Sequence, residues 1–203
     1  VYTKMPVPAQ APKENGRRKM ELGFLGNIRF WLGTSMLFFY VSAEFAILSW
    51  MVTYFQDIGV LSADHAQMMS SLLWLVMFGG RMVGAAIVGK VSRSMLVFFL
   101  VMFFSRTASM VIFGIIGVGI FMATIYPSAF AIGSECVKGN DFGCGVMAFM
   151  GSAGGVVTPM VVGIVAEHAG IRAGMGLIVV FIALLLVSIL VNVFGTQRLK
   201  TVV

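Results

Sequence analysis

Charge is what this sequence has least of. Only 11% of its 203 residues are Asp, Glu, Lys or Arg, with 8 acidic against 14 basic; soluble domains carry roughly 25%. Cysteine is nearly absent as well. Two cysteines, Cys136 and Cys144, cannot make a secreted disulfide scaffold. They flank a polar loop expected on the cytosolic side, where thiols stay reduced. Proline is scarce, and three of the five (Pro6, Pro8, Pro12) crowd into the first twelve residues. Apolar side chains are plentiful: 59% of the chain is hydrophobic and its mean hydropathy is +0.98. A soluble globule of this size cannot hide so much apolar surface and still wet its exterior. A soluble enzyme and a disordered chain are therefore excluded, and a polytopic all-α membrane protein is expected. The net charge of +6 would suit nucleic acid. The basic residues are scattered over several loops, however, and fit membrane topology better, so no nucleic-acid partner is expected.

The usual signatures of catalysis are missing too. There is no HExxH zinc motif, no GxSxG nucleophile turn and no phosphate-binding loop ending in GK[ST]. His65 and His168 fall at opposite span ends, and Cys136 and Cys144 have no histidine companion. No catalytic residue, metal or cofactor is expected, and the chain does not read as an enzyme.

Residues 1–27 are polar and basic and read as a flexible cytosolic linker. A membrane-spanning helix needs about 20 mostly apolar residues. Residues 30–55 qualify with one charge, Glu44, and 66–89 with one charge, Arg81. Residues 110–134, 145–166 and 173–194 qualify with none. Between the second and third of these spans, 95–104 is apolar but abnormally short, about 15 Å as a helix. Counting it gives a six-segment transmembrane domain over 28–197 and a cytosolic tail, 198–203. A chain that opens on Val1 is expected to be a fragment or a processed product.

Basic residues test that count. If all six segments cross, Lys4, Lys13, Arg17, Arg18, Lys19, Arg29, Lys90, Arg93, Lys138, Arg198 and Lys200 share the cytosol, leaving only Arg106 and Arg172 outside. If 95–104 does not cross, Arg106 and Arg172 move inside while Lys138, Arg198 and Lys200 move out. The six-crossing count is slightly better. Both counts place the N-terminus inside. The six-crossing count also keeps the C-terminus cytosolic, in a multi-pass protein of the cell membrane.

Several short motifs occur in order. The first span has Tyr40-Val41-Ser42-Ala43-Glu44, then Ser49-Trp50. The second has Gly80-Arg81-x-x-Gly84 and ends in Gly89-Lys90-x-x-Arg93. Later come Gly114-x-x-Gly117-x-Gly119 with Ile125-Tyr126-Pro127, then Gly151-x-x-Gly154-Gly155-x-x-Thr158-Pro159-x-x-x-Gly163. From about residue 20 to 197 the chain resembles the C-terminal half of a major facilitator superfamily transporter, with the flavour of the fucose-permease-like sugar transporters. The resemblance implies a twelve-helix fold of two six-helix halves, the N-terminal half being a missing partner. It implies a secondary active transporter for a small sugar-like solute, working by alternating access and possibly driven by symport with protons. The short third helix departs from the family pattern, at a position the family keeps at the periphery. An internal echo accompanies it: Tyr40-Val41-Ser42-Ala43 against Tyr126-Pro127-Ser128-Ala129, and Gly79-Gly80 against Gly154-Gly155.

Glu44 is the leading candidate for function, because a carboxylate near the middle of a span is costly unless it faces a cavity or a partner. At 100° per residue, Tyr40, Glu44, Ile47, Met51 and Tyr54 share an 80° arc bordered by Trp50. Hydroxyls, a carboxylate and aromatic rings together suit a polar solute or a proton. The competing reading is a buried glutamate bonded to a neighbouring helix. By resemblance, the first and fourth helices line the cavity, which adds Tyr126 and the kink at Pro127. Arg81 is expected at a cytosolic gate, paired with Glu135 at matching depth, or else simply snorkelling. Gly80, Gly84, Gly151, Gly155 and Pro159 are expected to serve helix packing. Two other functions stay open: a non-transporting remnant or membrane interaction module, and, within transport, a multidrug exporter.

Overall fold

The apolar runs fold as helices that overrun them at both described ends wherever polar caps are available. The computed structural model describes residues 22–83 and 92–200. Among these, six α-helices follow in order: α1 Ile28–Asp57, α2 Ala63–Val83, α3 Ser92–Phe103, α4 Ala108–Glu135, α5 Asp141–Ala169 and α6 Ile171–Lys200. A helix leaves its first N–H groups without partners, and polar side chains take them up. The Asn27 side chain accepts from the Arg29 N–H at 3.0 Å, Thr107 from Met110 at 3.4 Å and Asn140 from Gly143 at 3.2 Å. Helix ends therefore lie outside the apolar stretches. Gly59, Gly139 and Gly170 take positive φ in the turns that follow α1, α4 and α5, where a β-carbon would be strained.

Among the described residues, four helices are long and apolar enough to cross a membrane: Ile28–Asp57, Ala108–Glu135, Asp141–Ala169 and Ile171–Asn192. The chain is an all-helical membrane protein on that basis. The described part of α2, which carries Asp64 and Arg81, and the 12-residue α3 are not among the four. A further difference concerns the expected 1–27 linker. Its last part, Leu22–Gly26, is a short 3-10 turn rather than linker. Phe24 anchors it, buried against Phe30 at 4.7 Å between ring centroids and close to Phe142 at 6.2 Å.

Small residues set how the helices run. Leu37, Val41 and Trp50 of α1 meet Gly151, Gly155 and Gly163 of α5 in that order, so these helices are parallel. Leu73 and Val76 of α2 lie at Gly119 and Gly80 lies at Ala123, so α2 and α4 are parallel. Gly33 presses on Gly133 while Tyr40 packs on Tyr126, so α1 and α4 are antiparallel. Gly114 meets Met102 and Gly117 meets Phe98, so α3 runs against α4. Although short, α3 carries the chain back to the end where α1 finishes: Tyr54 stacks on Phe103 at 5.7 Å, and its hydroxyl donates to the Phe103 carbonyl at 2.5 Å.

These contacts have a hidden order. Exchange α1, α2 and α3 for α4, α5 and α6. The α1/α5 contact becomes α4/α2, α1/α6 becomes α4/α3, α1/α2 becomes α4/α5, and α1/α4 and α3/α6 map onto themselves; every one of these contacts is present. The counterpart of the α5/α6 contact would join α2 to α3, on either side of 84–91. The two three-helix units are thus related by an approximate two-fold axis, with α1 and α4 inverted. The axis passes between Tyr40 and Tyr126. Gly33 precedes Tyr40 by seven residues and Gly133 follows Tyr126 by seven, the equal and opposite spacing that antiparallel helices require.

Candidate functional site

Beside this axis lies a cleft of about 560 Å³. Its walls come from four helices. From α1, Leu37, Val41, Glu44 and Phe45 fall on one face, at i, i+4, i+7 and i+8. From α5, Ala148, Gly151, Ser152 and Gly155 do the same at i, i+3, i+4 and i+7. Trp74 and Arg81, two turns apart, come from α2, and Tyr126 from α4. The glycines let α5 sit close against α1: a β-carbon on Gly155 would lie 3.0 Å from Val41 and one on Gly151 would lie 3.2 Å from Leu37.

Polarity in this cleft is concentrated in few groups. Glu44 is buried at 6% exposure, with Tyr40 and Arg81 as its electrostatic neighbours. Arg81 is exposed toward the cleft. Tyr40 is fully buried, and its hydroxyl has no hydrogen-bond partner among the described residues. Its ring packs on Tyr126 at 5.9 Å, and Tyr126 stacks in turn on Phe130 at 6.5 Å. A carboxylate, a guanidinium and a phenol therefore lie close together between the helices. Such groups are costly in hydrocarbon unless they serve one another or a ligand.

The structure sorts the candidate residues. Glu44, Tyr126 and Arg81 come together in the cleft, with Tyr40 directly behind them. The 80° arc of Tyr40, Glu44, Ile47, Met51 and Tyr54 is a real face, but it is the packed face of α1, with every member buried. Only Glu44 of the five opens into the cleft. Trp50 and Tyr54 are not there. The Trp50 indole donates to the Pro159 carbonyl at 2.9 Å and pins α1 to α5. The Tyr54 hydroxyl is held by Phe103, near the far end of α1.

The pairing of Arg81 with Glu135 is not what the structure forms. Gly80 would place a β-carbon 2.8 Å from that of Ala123, so Arg81 lies near the Ala123 level of α4. From Ala123 to Glu135 the helix climbs about 18 Å, and Glu135 is exposed at its end. Arg81 instead shares the cleft with Glu44. Gly84 lies outside the described residues. Trp74, Phe45 and Ser152 were not singled out from sequence. The seven-residue spacing of Trp74 and Arg81 was the available signal for the first of them.

The two-fold relation exposes an asymmetry. Gly80 packs on Ala123 of α4 as Gly151 packs on Leu37 of α1, one turn away from the Gly79-Gly80/Gly154-Gly155 match seen in sequence, so Arg81 corresponds to Ser152. Alignment of Tyr40 with Tyr126 makes Glu44 correspond to Phe130. The acid and the base thus have no charged counterparts in the second unit. No protein-family model matches the chain, and no curated protein matches it.

Proposed function

We propose that this chain is half of a secondary active transporter, and that the Glu44–Arg81 cleft is its share of a solute site. The carrying observation is the convergence of Glu44, Arg81, Tyr40 and Tyr126 in a cleft beside the axis of two inverted three-helix units. Inverted units with a polar site at their junction are how many secondary transporters are built, and alternating access is rocking about such a site. A carboxylate and a guanidinium beside aromatic rings can hold the hydroxyls of a small sugar-like solute. Glu44 can also carry a proton as the solute moves.

The cleft is formed by one body, and its surroundings favour a second. Phe78 and Met82 on α2 and Phe149, Val156 and Met160 on α5 are each more than half exposed. In this reading a six-helix N-terminal half covers that face, all six helices of this chain cross the bilayer, and both chain ends are cytosolic.

The test is transport by the intact protein in proteoliposomes, using labelled monosaccharides and an imposed pH gradient. Glu44→Gln is expected to abolish accumulation while sparing exchange. Undiminished accumulation would falsify the coupling role. Uptake that lipophilic cations block and sugars do not would instead favour a drug exporter. Solute flux through these 203 residues alone would remove the need for a second half.

A further inference from the structure

A second cavity lies at the C-terminal end of α1, and a different set of residues builds it. It measures about 410 Å³ and sits where α1 ends, where α3 passes to α4, and where α6 begins. Tyr54 is ten residues beyond Glu44, about 15 Å along the helix, so the two sites are separate. Arg106 and Arg172 both line this cavity. Under the six-crossing count these are the only two arginines or lysines on the non-cytosolic side. Sixty-six residues separate them in sequence, yet the fold brings them to one hollow. Neither forms a salt bridge with a described residue.

Ser105 supplies the second, independent observation. It lines the same cavity and is 5% exposed, and its hydroxyl has no hydrogen-bond partner among the described residues. A buried hydroxyl without a partner costs free energy that a ligand can recover. The Tyr54 hydroxyl is already committed to Phe103, so Ser105 is the free donor. Helices α4 and α6 both start here, which adds the positive ends of two helix dipoles. Guanidinium forks, a buried hydroxyl and helix N-termini all favour the same ligand chemistry, an oxyanion of the phosphate type.

We infer that Arg106, Arg172 and Ser105 form a phosphate-binding site at this end of the bundle, occupied by a free phosphate anion or by the phosphate of an anionic lipid headgroup. At the end of a membrane bundle both sources are within reach. The chemistry is shared, and the experiment separates them.

Thermal unfolding of the purified protein is followed in neutral detergent with added inorganic phosphate. It is followed in parallel in bilayers of phosphatidylcholine with and without phosphatidylglycerol. Stabilisation by phosphate alone identifies a free anion, by phosphatidylglycerol alone a lipid headgroup, and by both a site open to either. In each case Arg106→Gln/Arg172→Gln is expected to abolish the shift, and Arg106→Lys/Arg172→Lys to retain part of it. Each arginine removed should weaken the measured affinity about tenfold. Ser105→Ala, which deletes one buried oxygen, should weaken it less. If the double Gln variant does not fold, Ser105→Ala and the two single Gln variants carry the test. No shift with either ligand, or a shift unchanged in the variants, overturns the site.

Discussion

Adding one methyl group at Gly33 should cost far more than adding it at Gly145. Both glycines sit inside long helices, α1 and α5. An alanine in a helix interior is favoured over glycine by roughly 0.5–1 kcal/mol, and at Gly145 nothing lies within 4 Å of the new β-carbon. Gly145→Ala should therefore stabilise the protein by about that amount. At Gly33 the new carbon would lie 2.6 Å from the Gly133 Cα and 2.8 Å from its nitrogen. Backbone cannot swing aside as a side chain can, so α1 and α4 must separate. Overpacking of this kind costs about 3 kcal/mol at the upper end of its usual range. Less the propensity gain, a net loss of about 2 kcal/mol remains. Gly133→Ala should cost less than Gly33→Ala, because its nearest neighbour is the flexible end of Met147. The assay is reversible unfolding in mixed micelles under increasing dodecyl sulfate, followed by far-ultraviolet circular dichroism. A Gly33→Ala protein as stable as Gly145→Ala would refute the α1/α4 contact. It would also refute the two-fold axis drawn through Tyr40 and Tyr126.

The remaining expectations use the same preparations. Trp50→Phe removes the indole donor to Pro159 and should cost about 0.6 kcal/mol, the average for a polar contact between membrane helices; no loss in the same unfolding assay would mean the bond is not formed. Tyr54→Phe keeps the stack on Phe103 and should lose only the hydrogen bond, roughly 0.5–1.5 kcal/mol. In transport, Arg81→Gln should impair uptake and Glu135→Gln should not; equal impairment by both would restore the gate pairing expected from sequence. Glu44→Gln and Arg81→Gln should be non-additive in stability by about 1 kcal/mol or more, and strict additivity would mean that the two groups do not sense each other.

The helices were legible because an apolar run of 20 or more residues has few other fates. Their ends were not, since capping side chains such as Asn27, Thr107 and Asn140 are polar and lie outside any hydropathy window. Helical periodicity found the α1 face that holds Glu44. It gave no sign that the same face is buried against neighbouring helices. Periodicity says which residues share a side of a helix, not what stands opposite. Trp50 illustrates the point, because its partner carbonyl is 109 residues away. Arg81 and Glu135 were matched by counting depth from the span ends. The relative height of α2 and α4 is set instead by Gly80 seating on Ala123, and no count from a terminus contains that contact. The Tyr40/Tyr126 echo was readable from sequence, and the contact between the two rings gives it a place in the fold.

The echo bears on why the acid and the base stand where they do. In a structure with two related units, a residue on one side of the axis has a counterpart on the other, and a symmetric site would use both. Tyr40 and Tyr126 are used that way, facing each other across the axis. Glu44 and Arg81 are not, because Phe130 and Ser152 occupy the equivalent places. Packing alone does not favour this choice. Burying Glu44 at 6% exposure is costly next to the phenylalanine that the same scaffold accepts on α4. A buried charge retained where an apolar residue would pack is weak support for stability and better support for a task. The symmetric part of the cleft explains how the helices fit together. In the proposed reading, the asymmetric part, Glu44 with Arg81, is what would bind a solute or a proton.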